Sequence, residues 1–540
     1  MKRSAFNLKN LSSDIPSSIV VFLVALPLCL GIALASEAPL FSGLIAGIVG
    51  GLVVGSLSGS QLSVSGPAAG LTAIVAAGIL KLPSFESFLF AVIICGFLQV
   101  ILGFVKAGIL GDYVPNGVIK GMLAAIGIIL ILNQFPHLLG DSGPSILDES
   151  VRQGGETSGG LFSNFFNAFT QINSVALIIG GSCLAFYVIW EKLMAKKTGF
   201  LKLLPAPLLV VFLGVGLNLI FNSNGLHGHH LVTIPQASST SEFLSFFTIP
   251  DFSAFFNKEV WILGITLALV ASLETLLSIE AIDDLDPYQR VTNKERELKA
   301  QGVGNMVSGL IGGLPVTSVI VRSSANVNSG AKSKMSTIMH GGLLLVCVAF
   351  IPGILNLIPK CALAAILIYT GYKLAKPSLF KQFFSRGMNQ FLPFLITIMA
   401  ILLTDLLIGV LVGIGVGVFF IVRTNFKSSL FVIQDDNKYL FRLKKDVSFL
   451  NKPIIKNRLE ELPENSYVII DVCSAGFIDK DIIEVIEDFA IHAPLKNITV
   501  EIKQNKDHGF NKKVLKEVFS HKELVRKHDK TIVRRPLEKI

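Results

Sequence analysis

Glu274 is the residue whose presence most needs a chemical explanation. It stands within Trp261–Ile279, a run whose other members are apolar or small. A carboxylate at the centre of a membrane span costs about 2.5–3.5 kcal/mol on insertion scales, so such residues are usually retained for proton or ion work. Ser278 follows one helical turn on and shares its face. The pair could take up a proton or a cation such as Na+. The structural alternative is a protonated Glu274 bonded to backbone.

Two other stretches offer the complementary chemistry. Ser63–Thr72 and Gly312–Arg322 each combine small residues with a proline and lead into a short helical run. Proline is tolerated in the first turn of a helix. Ser63–Gly66 is therefore expected to be extended, with Pro67 in the first turn of a half-helix running to about Leu80. A second half-helix is expected over 316–328, with Thr317 and Ser318 in its first turn. Neither reaches the roughly 20 residues that cross a hydrocarbon core of about 30 Å. Bare N–H groups and positive dipole ends favour an anion. Two interrupted segments in corresponding halves point to a transporter's binding site. Thr317 and Ser318 would offer hydroxyls there, with helix capping as their other role. Arg322 would add positive field, or would snorkel to the cytoplasmic surface. Pro27 breaks the ladder of the first helix, at the least as a kink.

The elements that must position these groups are membrane helices. The chain has 540 residues, 51% of them hydrophobic and 16% charged, with a mean hydropathy of +0.64. That composition excludes an ordinary soluble enzyme and indicates a polytopic membrane protein. No nucleophile–base pair or metal set appears in the spans, so an enzyme is not expected. Fourteen segments are expected, at 15–36, 40–56, 67–80, 86–106, 115–134, 172–191, 204–222, 259–281, 300–313, 316–328, 336–353, 361–374, 391–406 and 408–423. The last two are parted only by Thr404–Asp405. No cleavable signal peptide is evident, and the first apolar stretch behaves as a span.

Net charge is +9, and in a membrane protein basic residues report topology before nucleic-acid affinity. Lys2, Arg3 and Lys9 precede the first span. Loops after even-numbered segments carry Lys192, Lys196, Lys197 and Lys202, then Arg290, Lys294, Arg296 and Lys299, and later Lys332, Lys334, Lys373, Lys376, Lys381 and Arg386. The long opposite loops carry only Arg152 and Lys258, with Lys81 and Lys360 as exceptions in short connections. Both termini are thus expected in the cytoplasm. His227, His229 and His230 read as a solvated loop rather than a metal site, having no carboxylate or Cys at ligand spacing. Asp283, Asp284 and Asp286 read as a solvated face. Of six cysteines, five lie in apolar runs, and none forms a metal spacing.

Composition changes after Phe426. Strands are expected at Tyr439–Leu443, Tyr467–Val472 and Asn497–Ile502, and helices at Asn457–Leu462, Asp481–Ala490 and Asn511–Phe519. The domains are thus a short N-terminus over 1–14, a transmembrane domain over 15–426 and an α/β domain over 427–540, with a charged tail from His521.

At these residues the chain resembles the SulP family of anion transporters, relatives of pendrin and prestin. The resemblance is carried by Ala25–Leu26–Pro27, Ser65–Gly66–Pro67, Leu273–Glu274–Thr275–Leu276–Leu277, Gln301–Gly302–Val303–Gly304–Asn305, Gly312–Gly313–Leu314–Pro315 and Arg322. It implies fourteen segments as two inverted repeats of seven, with a core (segments 1–4 and 8–11) moving against a gate (5–7 and 12–14). It also implies an anion between half-helices 3 and 10, lined by Ala68, Ala69, Thr317 and Ser318, a coupling carboxyl on segment 8, and a homodimer. The tail resembles a STAS domain through Val468–Asp471 and Gly476–Asp479. Where related antagonists of anti-sigma factors carry a phosphorylatable Ser, this chain has Asp481. A regulatory or dimerising module is therefore expected.

The run Ala25–Ser36 looks most like bacterial bicarbonate-type members, although sodium-coupled ones resembled here carry Asp where this chain has Glu274. The expectation is an inner-membrane secondary transporter of a small inorganic anion, bicarbonate first, coupled to Na+ or H+. No other cofactor and no nucleic-acid partner is expected. A sulfate/H+ symporter or anion exchanger is the nearest alternative. A channel or non-transporting relative is the alternative of another class, and a nucleobase transporter is disfavoured by the STAS-like tail.

Overall fold

The computed structural model describes residues 10–109, 114–140, 169, 172–194, 204–221, 225–237, 239–404, 406–427 and 430–503. Lys2, Arg3, Lys9, Arg152, Lys196, Lys197, Lys202, Asp405, the expected helix Asn511–Phe519 and the tail from His521 lie outside the described residues. The chain divides into two compact units, with the boundary at Gly417–Val418 inside the last long helix.

Each of the fourteen expected segments contains a helix. They are α1 (Leu11–Ala35), α2 (Leu40–Leu57), α3 (Thr72–Lys81), α4 (Phe85–Phe104), α5 (Asn116–Leu139), α6 (Ser174–Met194), α7 (Ala206–Phe221), α8 (Lys258–Leu285), α9 (Lys294–Leu310), α10 (Ile320–Asn328), α11 (Met335–Phe350), α12 (Lys360–Leu374), α13 (Met388–Leu403) and α14 (Leu406–Lys427). Six of them, α1, α2, α4, α5, α6 and α8, are long and apolar enough to cross a membrane outright. The helix α9 starts six residues before the expected segment, because Asn293 caps it by accepting from Arg296 N. That shift moves Glu297 from an expected loop into a buried first turn.

Small residues let these helices approach closely, as membrane interfaces require in the absence of a hydrophobic drive between them. A Cβ at Gly96 of α4 would lie 2.5 Å from Gly302 O of α9, and one at Gly302 would lie 2.6 Å from Gly96 O. The two helices therefore touch backbone to backbone. The helix α2 passes through a π-helical turn, Gly50–Val54, a deformation that often accompanies a functional site.

The half-helices start later than expected. Ser65–Pro67 forms a strand, β1, and Val316–Ser318 forms a second, β2. They pair antiparallel, Ser65 with Ser318, Gly66 with Thr317 and Pro67 with Val316. Pro67 is thus in a strand rather than in a first helical turn, and so are Thr317 and Ser318. The physical reason is that Gly66 and Leu314 precede prolines and are pushed towards extended conformations. Val316 and Thr317 are β-branched, and strand pairing satisfies backbone that helix would leave bare inside the membrane. Ala69–Leu71 then makes one 3-10 turn before α3, and Val319 precedes α10.

The acidic cluster at the end of α8 is only partly solvated. Asp284 is exposed, but Asp283 accepts from Thr292 N and Oγ1 at 2.7 and 2.6 Å, and Asp286 accepts from Arg290 Nε and Nη2 at 2.6 and 3.2 Å. These bonds pin the α8–α9 connection.

The second unit is an α/β domain. Its sheet runs β3 (Leu430–Asp435), β4 (Lys438–Val447), β5 (Tyr467–Ile478), β6 (Thr499–Lys503), with β3–β4 antiparallel and the other pairs parallel. The strand β3 is not among the strands expected from the sequence. Helices α15 (Lys452–Glu460) and α16 (Lys480–His492) cover the core of Phe441, Val468, Ile470, Ile482 and Ile486. Asp479 caps α16 by accepting from Asp481 N, which places Asp481 in the first turn as a favourable charge.

Burial raises the Asp471 carboxyl, but the Cys473 N–H and Arg442 guanidinium bonded to it outweigh that and hold it below the ordinary carboxylate value. A depressed carboxyl contributes stability above its unfolded value, and that contribution disappears as pH falls through the folded one. Amide exchange of β5 in the full-length protein should therefore accelerate as pH is lowered from about 6 to about 3, after correction for intrinsic rates. In R442A the onset should move to higher pH.

Candidate functional site

The paired strands form a polar floor enclosed by helices. On one side stands α9. Asn305 donates Nδ2–H to Val316 O at 3.0 Å and accepts from Val316 N at 2.5 Å, so one side chain takes both backbone groups of a residue whose partner, Pro67, has no N–H to offer. Asn305 also donates to Gln99 Oε1 on α4 at 2.7 Å, and Gln99 donates to Ser272 on α8. Gln301, one turn earlier, donates to Ser65 Oγ at 2.7 Å. These side chains are fully buried, and each is anchored by a strand or a helix.

The helix α8 closes a second side. Thr275 Oγ1 accepts from Ser318 N at 3.3 Å. Glu274 faces the 3-10 turn and accepts from Gly70 N. A Cβ at Gly70 would lie 2.6 Å from Glu274 Oε1, so only glycine lets the carboxylate reach this turn. The other carboxylate oxygen, Oε2, is buried without a hydrogen-bond partner. Ser278 is buried one turn further along α8.

From α10, Arg322 enters with no exposed surface. It does not snorkel. Its Nη2 lies 3.4 Å from Pro67 O, while Nε and Nη1 are buried and unpartnered. Its guanidinium packs against Gly66, where a Cβ would lie 2.2 Å from Nη1. The Cys29 thiol of α1 and the His340 imidazole of α11 are fully buried nearby, and both His340 ring nitrogens are unpartnered. Ser323, the next residue of α10, accepts from Val64 N at 2.8 Å.

The sequence-derived anion set thus converges. Pro67 is strand-paired, Ala68 precedes the 3-10 turn that Ala69 opens, Thr317 pairs with Gly66, and Arg322 reaches Pro67. Ser318 is in the same floor, but its hydroxyl is engaged with Ser63 Oγ at 2.6 Å. The N-cap residues Ala68, Leu71 and Val319 make no side-chain cap bond, and within the 3-10 turn Gly70 N donates to Glu274. Sequence reasoning misses Gln99, Glu297 and His340. Gln99 and His340 are polar residues within apolar stretches, the same signal that marks Glu274, whereas Glu297 lies in a charged stretch.

Asn305→Ala would leave Val316 N and O buried and unpaired, at about 1–3 kcal/mol for each stranded group. The expected result is a thermal midpoint several degrees lower for purified protein in detergent. Asn305→Asp, which keeps the acceptor for Val316 N and loses both donor bonds, should fall between.

A profile described as the sulfate permease family matches residues 11–400. The chain is 26% identical over 376 residues to "Putative sulfate transporter YvdB" of Bacillus subtilis, covering 69% of this chain and 66% of that protein. It is 25% identical over 430 residues to "Bicarbonate transporter BicA" of Picosynechococcus sp., covering 76% and 69%. The solved structure of SLC26A9 superposes with a TM-score of 0.73 at 16% identity, covering 95% of this chain and 88% of that one. At that identity the likeness establishes the fold.

Proposed function

The chain belongs to the sulfate permease family, and within it we propose that this protein is a secondary transporter of a small inorganic anion, bicarbonate first and sulfate second. The observation that carries the reading is the pair of incompletely satisfied charges at the strand floor, Arg322 with two buried unpartnered donors and Glu274 with one buried unpartnered oxygen. Buried charges are costly unless paired. An anion held at the uncapped turns by Pro67, Ala68, Ala69 and Thr317 would satisfy Arg322. A proton or Na+ at Glu274, with Ser278 one turn away, would neutralise the carboxylate.

Relative to a carrier holding the anion alone, loading a cation as well lowers the net charge that the moving helices carry. Each elementary charge moved through 100 mV is worth about 2.3 kcal/mol. A co-loaded carrier escapes part of that cost, which gives the protein a physical reason to couple the two ions. Likeness to BicA and the Ala25–Ser36 run support bicarbonate, whereas likeness to YvdB supports sulfate as the second reading. Alternating access would come from α1–α4 and α8–α11 moving against α5–α7 and α12–α14. The basic loops support cytoplasmic termini in an inner-membrane protein. The C-terminal α/β domain is read as a STAS-like regulatory module of a homodimer.

Uptake of labelled bicarbonate and labelled sulfate by purified protein in proteoliposomes tests this directly, with inward Na+ and inward H+ gradients imposed separately. Bicarbonate uptake should require one of the gradients, and Glu274→Gln should abolish that requirement together with uphill accumulation. Sulfate uptake alone would change the substrate and keep the mechanism. Flux incapable of uphill accumulation and indifferent to both gradients and to Glu274→Gln would sink the coupling and move the protein to the channel or exchanger reading.

A further inference from the structure

We propose that Glu297 is a positioning residue of the anion site, acting through Gln301 on strand β1. The inference rests on the transport reading above for its kinetic test, and stands on geometry alone for its structural one. Glu297 occupies the first turn of α9 and has no exposed surface. Its Oε2 accepts from Ser58 Oγ at 2.5 Å and from Gly59 N at 2.9 Å, and its Oε1 accepts from Gln301 Nε2 at 3.1 Å. Every one of these partners points a hydrogen at the carboxylate, as suits an ionised, acceptor-only group. Lys334, bonded to Ser56 O and Ser58 O, interacts electrostatically with it, and Arg296 beside it in sequence donates to Leu57 O.

The charge decides which way the Gln301 amide faces. An amide nitrogen has two hydrogens, and Gln301 directs one to Glu297 and the other to Ser65 Oγ, at 3.1 and 2.7 Å. That choice leaves Gln301 Oε1 buried without a partner. A stranded buried acceptor is unfavourable, so the arrangement needs something to hold it, and the carboxylate does so because a flipped amide would set oxygen against oxygen. Ser65 pairs with Ser318, and two residues on, Pro67 O receives Arg322. Asn305 holds Val316 of the other strand. Residues 297, 301 and 305 recur at four-residue steps on one face of α9. That face fixes the register of both strands, and Glu297 is the charge at its end. The competing role is a generic one, a carboxylate favouring a helix N-terminus through the dipole, and it would not depend on Ser65.

The test compares wild type, E297Q, S65A, E297Q/S65A and E297Q/Q301E in the full chain. The first readout is amide exchange of the 63–68 and 316–318 segments in purified protein. The second is concentration-dependent uptake of labelled bicarbonate and sulfate. E297Q should accelerate exchange in both segments. It should raise KM about tenfold, the scale of losing a hydrogen bond to a charged group, with maximal rate within about twofold of wild type. S65A should do the same, and E297Q/S65A should be no worse than either single variant, because both cut one chain. E297Q/Q301E should recover most of the loss, since the amide introduced by E297Q and the Ser65 hydroxyl can both donate to the carboxylate introduced by Q301E. Unchanged exchange in E297Q overturns the proposal, whether or not the wild type transports either anion. So do additive effects of E297Q and S65A, or a fall in maximal rate with KM unchanged. If wild type takes up neither anion while E297Q still loosens both strands, the transport reading fails and the positioning role stands.

Discussion

Unpaired backbone inside a membrane is the constraint on which the rest of this structure depends. Two segments of the chain stop being helix at depth, and there is no water in hydrocarbon to receive their N–H and C=O groups. The chain answers by pairing the two breaks with each other, β1 on β2, over three residues each. Three residues cannot satisfy themselves at their edges, so the neighbouring helices supply side chains. Asn305 covers Val316, Thr275 covers Ser318, Ser323 covers Val64, and Thr337 donates to Ser63 O at 3.1 Å. The polar residues of α8, α9, α10 and α11 that look out of place in a membrane protein are largely explained by this requirement.

The same requirement accounts for where the structure remains unsatisfied. With most other polar atoms of the floor bonded, Arg322 Nε and Nη1, Glu274 Oε2, Gln301 Oε1 and both His340 ring nitrogens stand out as buried atoms without partners. Glycine at 66 and at 70 brings two of these groups against the backbone, since a side chain at either place would overlap Arg322 or Glu274. The floor therefore admits charges from side chains and leaves them short of partners.

Much of this is legible in the sequence. The fourteen segments follow from apolar runs and from the alternation of basic loops, because hydrophobic length and charge are properties of single residues summed along a window. Glu274 and Arg322 announce themselves as charges in apolar surroundings. The strands do not, since Pro67 and Pro315 are compatible with a helix start and with extended chain alike, and only the meeting of two segments 255 residues apart decides between them. For the same reason Thr317 and Ser318 read as helix caps and instead lie in a ladder. Glu297 is hidden by its setting among Lys294, Arg296 and Lys299, where a charged stretch reads as loop until Asn293 is seen to cap a helix.

The span between the two strands has a consequence for biogenesis. Ser63 and its bonding partner Ser318 are 255 residues apart. Chains are synthesised at about 5–20 residues per second, so β1 enters the bilayer on the order of 10–50 seconds before β2 exists. Throughout that interval the first break must rest against something else, such as the insertion machinery or the earlier helices α1 and α2. The floor is complete only once α9, β2, α10 and α11 have all followed. A half-length chain released early would carry an open strand edge within the membrane, which makes it a natural target for quality-control proteolysis.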